Sequence, residues 1–483
     1  MTTVRRSLAY SAAESYLAVV MQLAGTMIIA RLLTPEEAGI FAVAAVFAAF
    51  ASTFRDFGVA EYLIQEHELT RDKIRAALTA NIAVSWAMGI LLVLSSGAVA
   101  EFYRHPGIAE VMRVQAINFL LIPFGAVTMA YFRRQMDFRP MFIASMLANV
   151  TTFSVATLCA LSGLGYMSLA WSSLAGVCVT VAASLWFRPA DFPRLPGLAE
   201  IRSVVRFGKH ASGIYIFGQA GKSAPEIIIG RALDMPSVAF FSRANGLIEI
   251  FHKTVLRAVM PVCLPYFAKS NREQGTVVTG YLRAVSYLTA VGWPFFAFLG
   301  IVAYGAVRIV YGTQWTASVP LAQILCAAAL IEIVHYLAKE VIIAAGRVDR
   351  SNLLQMGVQG SRIIGLLAVI PFGLAGACWG LLGAALFGAV YAQWMLAKTI
   401  GLSIRDIAGA CLPSVYVAFV ATAPVAIWVA LEGISEANYL YFVFGGGTLT
   451  AILWLLGVRF FLPELWSEIA TIANRLSFVR KSK

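Results

Sequence analysis

Apolar stretches of about 20 residues recur along the whole chain, separated by short polar or turn-rich breaks. A helix needs about 20 apolar residues to cross the hydrocarbon core of a bilayer, because each residue advances the helix by 1.5 Å. The pattern therefore predicts an all-α polytopic membrane protein with about fourteen transmembrane helices. The predicted spans are Ser7–Ala30, Ala38–Phe54, Ala76–Ala100, Val111–Phe132, Met141–Leu161, Gly165–Phe187, His210–Gly230, Val238–Phe267, Ala284–Val307, Val319–Ile343, Leu353–Phe372, Leu374–Ala397, Ile407–Ala430 and Tyr439–Val458.

The breaks divide these spans into groups of six, six and two. A basic segment that contains prolines follows the sixth span and interrupts the apolar pattern. We therefore expect a first lobe at residues 1–187, a cytoplasmic linker at 188–209 and a second lobe at 210–397. Residues 398–483 hold the last two spans and a basic tail.

An internal repeat supports this division. Ala24–Leu33 (AGTMIIARLL) aligns without gaps on Ala224–Leu233 (APEIIIGRAL), and both segments end the first helix of a predicted six-helix lobe. The alignment matches Arg31 with Arg231, an identity that apolar composition does not explain. Parallel repeats of this kind are typical of transporters.

Composition and charge fit the same prediction. Hydrophobic residues make up 60% of the 483 residues and charged residues only 13%, which excludes a soluble globular fold. The formal net charge of +12 could indicate nucleic-acid binding, but most of the 37 Lys and Arg residues fall on alternate breaks. Basic residues are retained on the cytoplasmic side, so this alternation places both termini in the cytoplasm and leaves no need for a nucleic-acid partner.

The six cysteines lie singly in apolar segments, with no CxxC pair and no histidine at metal-binding spacing. We interpret them as free thiols in packed helices. The sequence predicts no metal site and no cofactor.

Four segments resemble one transporter family. They are Ile29–Gly39 (IARLLTPEEAG), Phe54–Gly58 (FRDFG) followed by Leu63–Gln65 (LIQ), Ile229–Arg231 (IGR) followed by Phe241–Ala244 (FSRA), and Tyr311–Trp315 (YGTQW) followed by Pro320–Leu325 (PLAQIL). In this order and spacing the chain resembles the Wzx-type polysaccharide flippases of the multidrug/oligosaccharidyl-lipid/polysaccharide (MOP) superfamily. The resemblance covers essentially the whole chain.

That resemblance implies a function and a place in the cell. It implies translocation of a polyprenyl-diphosphate-linked oligosaccharide across the bacterial inner membrane by alternating access, for surface polysaccharide biosynthesis. The partners it implies are this lipid-linked oligosaccharide, membrane lipids and other polysaccharide-assembly proteins. It implies two six-helix lobes around a central cavity and no enzymatic reaction.

Charged residues inside predicted spans are the best candidates for binding the cargo, because a charge at bilayer depth must face water or a partner. Lys222, Arg243, Lys253 and Arg362 are therefore candidate substrate-binding residues for a phosphate or an acidic sugar. Each also has a structural interpretation. Lys222 can pair with Glu226 four residues on, and Arg243 and Lys253 can pack or snorkel toward the ends of their span.

A second group of titratable residues can couple transport to an ion or a proton. Glu14, Glu226, Glu332 and His335 lie within predicted spans. The structural alternative is a paired or hydrogen-bonded packing role for each. For Glu332 this alternative is a salt bridge with Arg362.

Two other functions remain open at this point. A membrane glycan polymerase needs catalytic residues on substantial outer loops, and the predicted outer loops are short. A drug or cation antiporter of the same superfamily needs acidic residues in its cavity, whereas the deep charges of this chain are more often basic. The short loops argue against a polymerase, and the basic charges favour an anionic cargo over a cation.

Overall fold

The computed structural model describes the backbone of residues 2–55, 58–193 and 195–471. Side chains are described for residues 17–55, 58–193, 195–205, 218–273 and 275–471. Helices account for nearly all of these residues, and the described part of the chain contains no strand. The all-α prediction is confirmed.

Each of the fourteen predicted spans coincides with helix. Short α3 and α12 were not predicted, and residues 463–471 begin one more helical segment. The helices are α1 (Thr2–Leu32), α2 (Pro35–Arg55), α3 (Val59–Gln65), α4 (Arg71–Tyr103), α5 (Gly107–Arg134), α6 (Phe138–Leu161), α7 (Met167–Trp186), α8 (Ile201–Ala232), α9 (Met235–Phe251), α10 (Arg257–Gln274), α11 (Val278–Ile301), α12 (Ala303–Val310), α13 (Ser318–Glu332), α14 (Ala338–Ala344), α15 (Val348–Val369), α16 (Gly373–Ile400), α17 (Ile404–Glu432) and α18 (Gly446–Phe461).

Ten described helical stretches are long and apolar enough to cross a bilayer. The α9–α10 segment is not among them. It carries Arg243 and Lys253, which the sequence singled out as candidates for binding, and its charges lower the mean hydropathy of the segment.

The chain forms two compact units. Unit 1 comprises residues 1–242 with residues 310–314, and unit 2 comprises residues 243–309 with residues 315–483. Helix α8 therefore belongs to unit 1, where it packs on α2 and α4. The lobe boundaries drawn from the sequence stay a prediction.

The two repeat segments have the same local structure in unit 1. Arg31 lies in the last turn of α1 and Arg231 in the last turn of α8. In the first copy the Glu37 backbone N–H donates to Thr34 Oγ1 at 3.3 Å. In the second copy the Ser237 backbone N–H donates to Asp234 Oδ1 at 2.8 Å. Each pair caps the N-terminus of the next helix, so both copies make the same tight turn between two helices.

These two turns meet within unit 1. A Cβ atom added at Gly39 of α2 would overlap the backbone carbonyl of Met235, the first residue of α9. A Cβ atom at Gly230 of α8 would contact the side chains of Val43 and Tyr103. The Tyr103 hydroxyl also donates to the Ile227 carbonyl at 3.1 Å. Small residues thus let the helices approach at the predicted outer side, as in other membrane helix packing.

The predicted linker is ordered against unit 1. The Arg188 Nε–H donates to Thr128 Oγ1 at 3.0 Å, and the Gly197 backbone N–H donates to Thr79 Oγ1 at 2.9 Å. The ring of Phe192 is buried and packs edge-on against Tyr131, with centroids 5.3 Å apart. Helix α8 begins at Ile201, so the irregular part of the linker is shorter than the sequence predicted.

Two of the helix interruptions in unit 2 lie near its charged residues. A π-helical turn at His252–Leu256 joins α9 to α10, and a 3₁₀ turn at Ile333–His335 lies between α13 and α14. Local departures from α-helical geometry of this kind are frequent at functional sites. Elsewhere in unit 2, α15 and α16 pack closely because Gly365 and Gly380 face each other.

Candidate functional site

An ion pair joins two helices in the interior of unit 2. Arg362 Nη1 of α15 lies 3.6 Å from Glu332 Oε1 at the C-terminal end of α13, and both side chains are about 30% exposed (29% and 32%). Each residue is about 21 Å along its helix from the helix start, at 1.5 Å per residue. Sequence analysis left open a salt bridge between these residues, and the structure forms it.

Further titratable side chains surround this pair. Tyr336 interacts electrostatically with Glu332, Arg362 and Glu249. The imidazole of His252 stacks near the Tyr336 ring, with centroids 5.6 Å apart, and its Nδ1 lies 3.5 Å from Glu249 Oε1. The π-helical turn at His252–Leu256 and the 3₁₀ turn at Ile333–His335 therefore lie beside one polar cluster.

Several buried polar atoms in this part of unit 2 have no hydrogen-bond partner among the described residues. They include both ring nitrogens of His335, Glu340 Oε2, Gln359 Oε1 and Arg362 Nε. Buried polar atoms in proteins are normally hydrogen-bonded to protein, water or ligand. This region of unit 2 is thus chemically suited to hold water or a polar group.

Arg243 and Lys253 have different surroundings within unit 2. The Arg243 guanidinium lies 4.8 Å from the centroid of the Trp315 ring, and Trp315 is fully buried. This cation–π contact joins two of the family-like motifs and matches the packing interpretation of Arg243. Lys253 lies in the π-helical turn and its side chain is exposed.

Lys222 and Glu226 lie in unit 1, on α8. Lys222 is exposed and Glu226 is half-buried, and Pro225 between them interrupts the hydrogen bonding of the helix. One turn before Pro225, Gln219 Nε2 donates to Ser223 Oγ at 2.9 Å. The predicted pairing of Lys222 with Glu226 stays a prediction. The side chain of Glu14 lies outside the described residues.

Unit 1 also contains a cavity that the sequence did not predict. It has a volume of about 250 Å³ and lies between α2, α3, α4 and α5. Arg55, Glu61, Asn81 and Arg133 contribute its polar groups. The family-like motif around Arg55 was the only signal of this cavity in the sequence. Arg133 gave no such signal, because it lies in a break where basic residues are expected from the topology.

Curated relatives of this chain act in polysaccharide assembly, by their names. The teichuronic acid biosynthesis protein TuaB of Bacillus subtilis is 24% identical over 361 residues, 74% of each chain. The lipopolysaccharide biosynthesis protein WzxC of Escherichia coli is 22% identical over 71% of this chain and 70% of that protein. The succinoglycan biosynthesis transport protein ExoT of Rhizobium meliloti is 28% identical over 61% of this chain and 59% of that protein.

Solved structures share the fold. The lipid II flippase MurJ in an inward closed conformation matches with a TM-score of 0.73 at 13% identity, covering 95% of this chain and 99% of that one. An inward-facing multidrug resistance MATE family transporter of the MOP superfamily matches with a TM-score of 0.60 at 15% identity, covering 80% and 96%. These matches confirm the predicted multi-pass helical architecture.

The family resemblance drawn from the motifs is confirmed as well. Residues 28–320 match the family described as polysaccharide biosynthesis protein. The matched region starts within the first repeat segment and includes the family-like motifs as far as Pro320. This chain therefore belongs to the polysaccharide biosynthesis protein family of membrane proteins.

Proposed function

We propose that this protein is a flippase that translocates a polyprenyl-diphosphate-linked oligosaccharide across the bacterial inner membrane for surface polysaccharide biosynthesis. The observation that carries the proposal is the family match over more than half of the chain, joined to a fold shared along 95% of it with a lipid II flippase. The proposed activity moves a molecule between leaflets. It breaks and forms no covalent bond.

The proposed mechanism separates the two parts of the cargo. The oligosaccharide and diphosphate cross through a polar interior while the polyprenyl chain stays in lipid, because transfer of sugar and phosphate groups into hydrocarbon is strongly unfavourable. Lys222, Arg243, Lys253 and Arg362 are the proposed contacts for the anionic headgroup. Arg362 suits a diphosphate best, since a guanidinium can donate two parallel hydrogen bonds to it.

The Arg362–Glu332 ion pair suggests how binding and release alternate. Glu332 competes with an incoming phosphate for the same guanidinium, so cargo binding and ion pairing exclude each other at Arg362. Glu14, Glu226, Glu332 and His335 are the proposed coupling residues.

We place the protein in the inner membrane with both termini in the cytoplasm, following the distribution of Lys and Arg. In that orientation the connections on the outer side are short. The longest connection between described helical segments there is Gly433–Leu440. Short outer connections argue against a glycan polymerase, and other polysaccharide-assembly proteins are proposed partners.

A drug or cation antiporter is the second candidate. The likeness to a MATE family transporter and the acidic residues Glu249, Glu332 and Glu340 in unit 2 favour it. The two candidates differ in the charge of the cargo. An antiporter for cations depends on these carboxylates, whereas the flippase depends on Lys222 and Arg362.

The test is export of surface polysaccharide in cells that lack the chromosomal gene and carry a plasmid copy. Deletion should abolish export and leave lipid-linked oligosaccharide inside the cell. Replacing Lys222 and Arg362 together with Gln should reduce export at least tenfold at equal membrane levels, because two charge-assisted contacts are lost. Undiminished export after deletion would overturn the flippase, and undiminished export in the double variant would overturn the two residues.

A second pair of variants separates cargo contact from packing at Arg362. Arg362→Gln alone leaves Glu332 without its partner, and this by itself can impair folding. The Glu332→Gln, Arg362→Gln variant removes both charges. Recovery of export in this double variant would assign Arg362 a structural role, whereas a loss that exceeds that of Glu332→Gln alone supports contact with the cargo. Arg139→Gln, which removes an exposed arginine at the start of α6, is the control.

A further inference from the structure

The cavity in unit 1 combines a basic rim with an apolar wall. Arg55 ends α2 and Arg133 lies one residue before the end of α5, so both guanidinium groups lie at the same predicted cytoplasmic side. The wall is formed by aliphatic side chains from α3 and α5. These are Val59, Ala60, Leu63, Ile122, Ala126, Val127 and Ala130, with Glu61 and Asn81 between them.

The donor groups of the cavity suit an anion. The Arg133 guanidinium makes no hydrogen bond or ion pair with the part of the chain that the structure describes. Asn81 is only 7% exposed, and its Oδ1 accepts a hydrogen bond from Ser85 Oγ at 3.1 Å. The Asn81 Nδ2 donor has no acceptor among the described residues. Among the described residues, Arg55, Arg133 and Asn81 line the cavity with donor groups, and Glu61 lines it with a carboxylate.

The depth of the cavity matches that of a lipid headgroup. Asn81 is ten residues from the start of α4, or about 15 Å, while Arg55 and Arg133 lie at helix ends. A molecule in the cavity therefore extends from the membrane interface into the outer part of the hydrocarbon. Basic pockets between transmembrane helices on the cytoplasmic side are typical binding sites for anionic headgroups.

The size of the cavity restricts its occupant. Pockets that enclose a drug-sized molecule measure about 300–1,000 Å³. At about 250 Å³ this cavity can hold one or two phosphate groups with a few neighbouring carbons, and it cannot hold an oligosaccharide. It is therefore a local site in unit 1 and not the path by which sugars cross.

Neighbouring contacts hold the rim in place. Arg134 Nη1 donates to the Leu63 carbonyl at 2.8 Å and also to the Glu66 carbonyl, and its Nη2 donates to the His67 carbonyl at 3.2 Å. These bonds fix the C-terminal end of α3, which carries one wall of the cavity. A site that is rigid before binding loses less entropy when the ligand binds.

We propose that this cavity binds the phosphate of an anionic lipid headgroup through Arg55, Arg133 and Asn81. The two arginines donate paired hydrogen bonds to phosphate oxygens, and Asn81 Nδ2 donates a third. The aliphatic wall contacts the first carbons of the lipid chain. Two lipids carry this chemistry, the polyprenyl diphosphate of the cargo and an anionic phospholipid of the membrane, and the cargo case rests on the function proposed above.

The experiment measures lipid binding to the purified full-length protein in detergent, by native mass spectrometry and by titration calorimetry. The probes are a sugar-free polyprenyl diphosphate, phosphatidylglycerol, zwitterionic phosphatidylcholine and inorganic pyrophosphate. We expect anionic lipids to bind and phosphatidylcholine not to bind. Arg55→Gln with Arg133→Gln should weaken anionic lipid binding by at least tenfold, and Arg133→Gln alone by several fold, because charged hydrogen bonds are lost.

Arg139→Gln is the matched control, since it removes the same charge from an exposed residue on the same side and outside the cavity. Arg133 is exposed, so its replacement leaves the fold intact, and thermal unfolding of each variant verifies this. Preference for polyprenyl diphosphate identifies the cargo, and equal binding of phosphatidylglycerol identifies a membrane lipid. Affinities within twofold of wild type in the Arg133 and double variants, or pyrophosphate binding as tight as either lipid, would overturn the site. Because no export is measured, failure here leaves the flippase proposal separately testable.

Discussion

The predicted outer end and the predicted cytoplasmic end of unit 1 differ in their packing and in their charge. At the predicted outer side, Gly39 lies against the backbone of Met235, and Tyr103 donates a hydrogen bond to the Ile227 carbonyl. At the predicted cytoplasmic side, helices α2 to α5 surround a cavity of about 250 Å³ that is lined by two arginines. One end of unit 1 is close-packed through small residues and the other holds a basic cavity. Within unit 1, the room for an anionic group therefore lies at the predicted cytoplasmic side.

The largest expected effect comes from breaking the close-packed end. Replacing Gly39 with Leu places a side chain on the Met235 carbonyl, and a backbone atom cannot move away without shifting α9. We expect a loss of about 1–3 kcal/mol in the free energy of unfolding, the usual range for overpacking, together with a strong loss of export. Thermal unfolding in detergent measures the first effect and polysaccharide export the second.

Gly97 of α4 offers the matched control for this prediction. A Cβ atom at Gly97 has open space within 4 Å, so Gly97→Leu should unfold at the wild-type temperature. Equal stability of the Gly39 and Gly97 variants would contradict the close contact at the predicted outer side.

An intermediate effect is expected from loosening the end that holds the cavity. Arg134→Gln removes the hydrogen bonds that the guanidinium donates to carbonyl groups at the end of α3. Hydrogen bonds to charged groups contribute about 1.5–3 kcal/mol, and this contribution is local to residues 59–67. Hydrogen–deuterium exchange in that segment should increase severalfold, and lipid binding should weaken.

The neighbouring Arg133 provides the comparison for that variant. Its guanidinium forms no hydrogen bond with the described residues, so Arg133→Gln should leave exchange at residues 59–67 unchanged while it weakens lipid binding. Equal hydrogen–deuterium exchange at residues 59–67 in the two variants would contradict the role of Arg134 in holding the C-terminal end of α3.

The smallest effect concerns the loop after α3. Lys73 Nζ donates to Glu66 Oε1 at 2.9 Å, and this contact holds the pKa of the Glu66 carboxyl below its ordinary value of 4.5. A carboxyl pKa that is lower in the folded than in the unfolded state stabilises the fold at neutral pH. This stabilisation is lost as the pH falls through the folded-state pKa, because Glu66 is then protonated in the folded and in the unfolded protein. Glu66→Gln should therefore lower the unfolding temperature slightly at pH 7 and have no effect near pH 3. A difference that persisted at pH 3 would contradict the ion pair as its cause.

Hydrophobic periodicity predicted the helices of this fold because each crossing segment must be long and apolar on its own. The repeat also predicted that Arg31 and Arg231 occupy equivalent helix ends, since a local turn motif with its capping residues is encoded by adjacent positions. The π-helical turn at His252–Leu256 was not predicted, because it follows from hydrogen-bond register and from packing in unit 2.

The candidate sites were harder to predict because they depend on contacts between residues that are distant in sequence. The Arg362–Glu332 pair could be anticipated because charges in apolar spans need partners. The cavity of unit 1 could not, since Arg55, Asn81 and Arg133 are distant in sequence and meet only when four helices pack. Arg133 also follows the rule that places basic residues on the cytoplasmic side. That rule accounts for the residue by itself, so its place in the sequence did not indicate the proposed role in lipid binding.

The docked linker has a consequence for the energetics of a transport cycle. Arg188, Phe192 and Gly197 are held against α4 and α5, so the conformational entropy of this segment is lost once, when the protein folds. A segment that was free between α7 and α8 would keep part of this entropy in the folded protein and lose it whenever a step of the cycle ordered it. With the segment already ordered, no step of a transport cycle has to order it again.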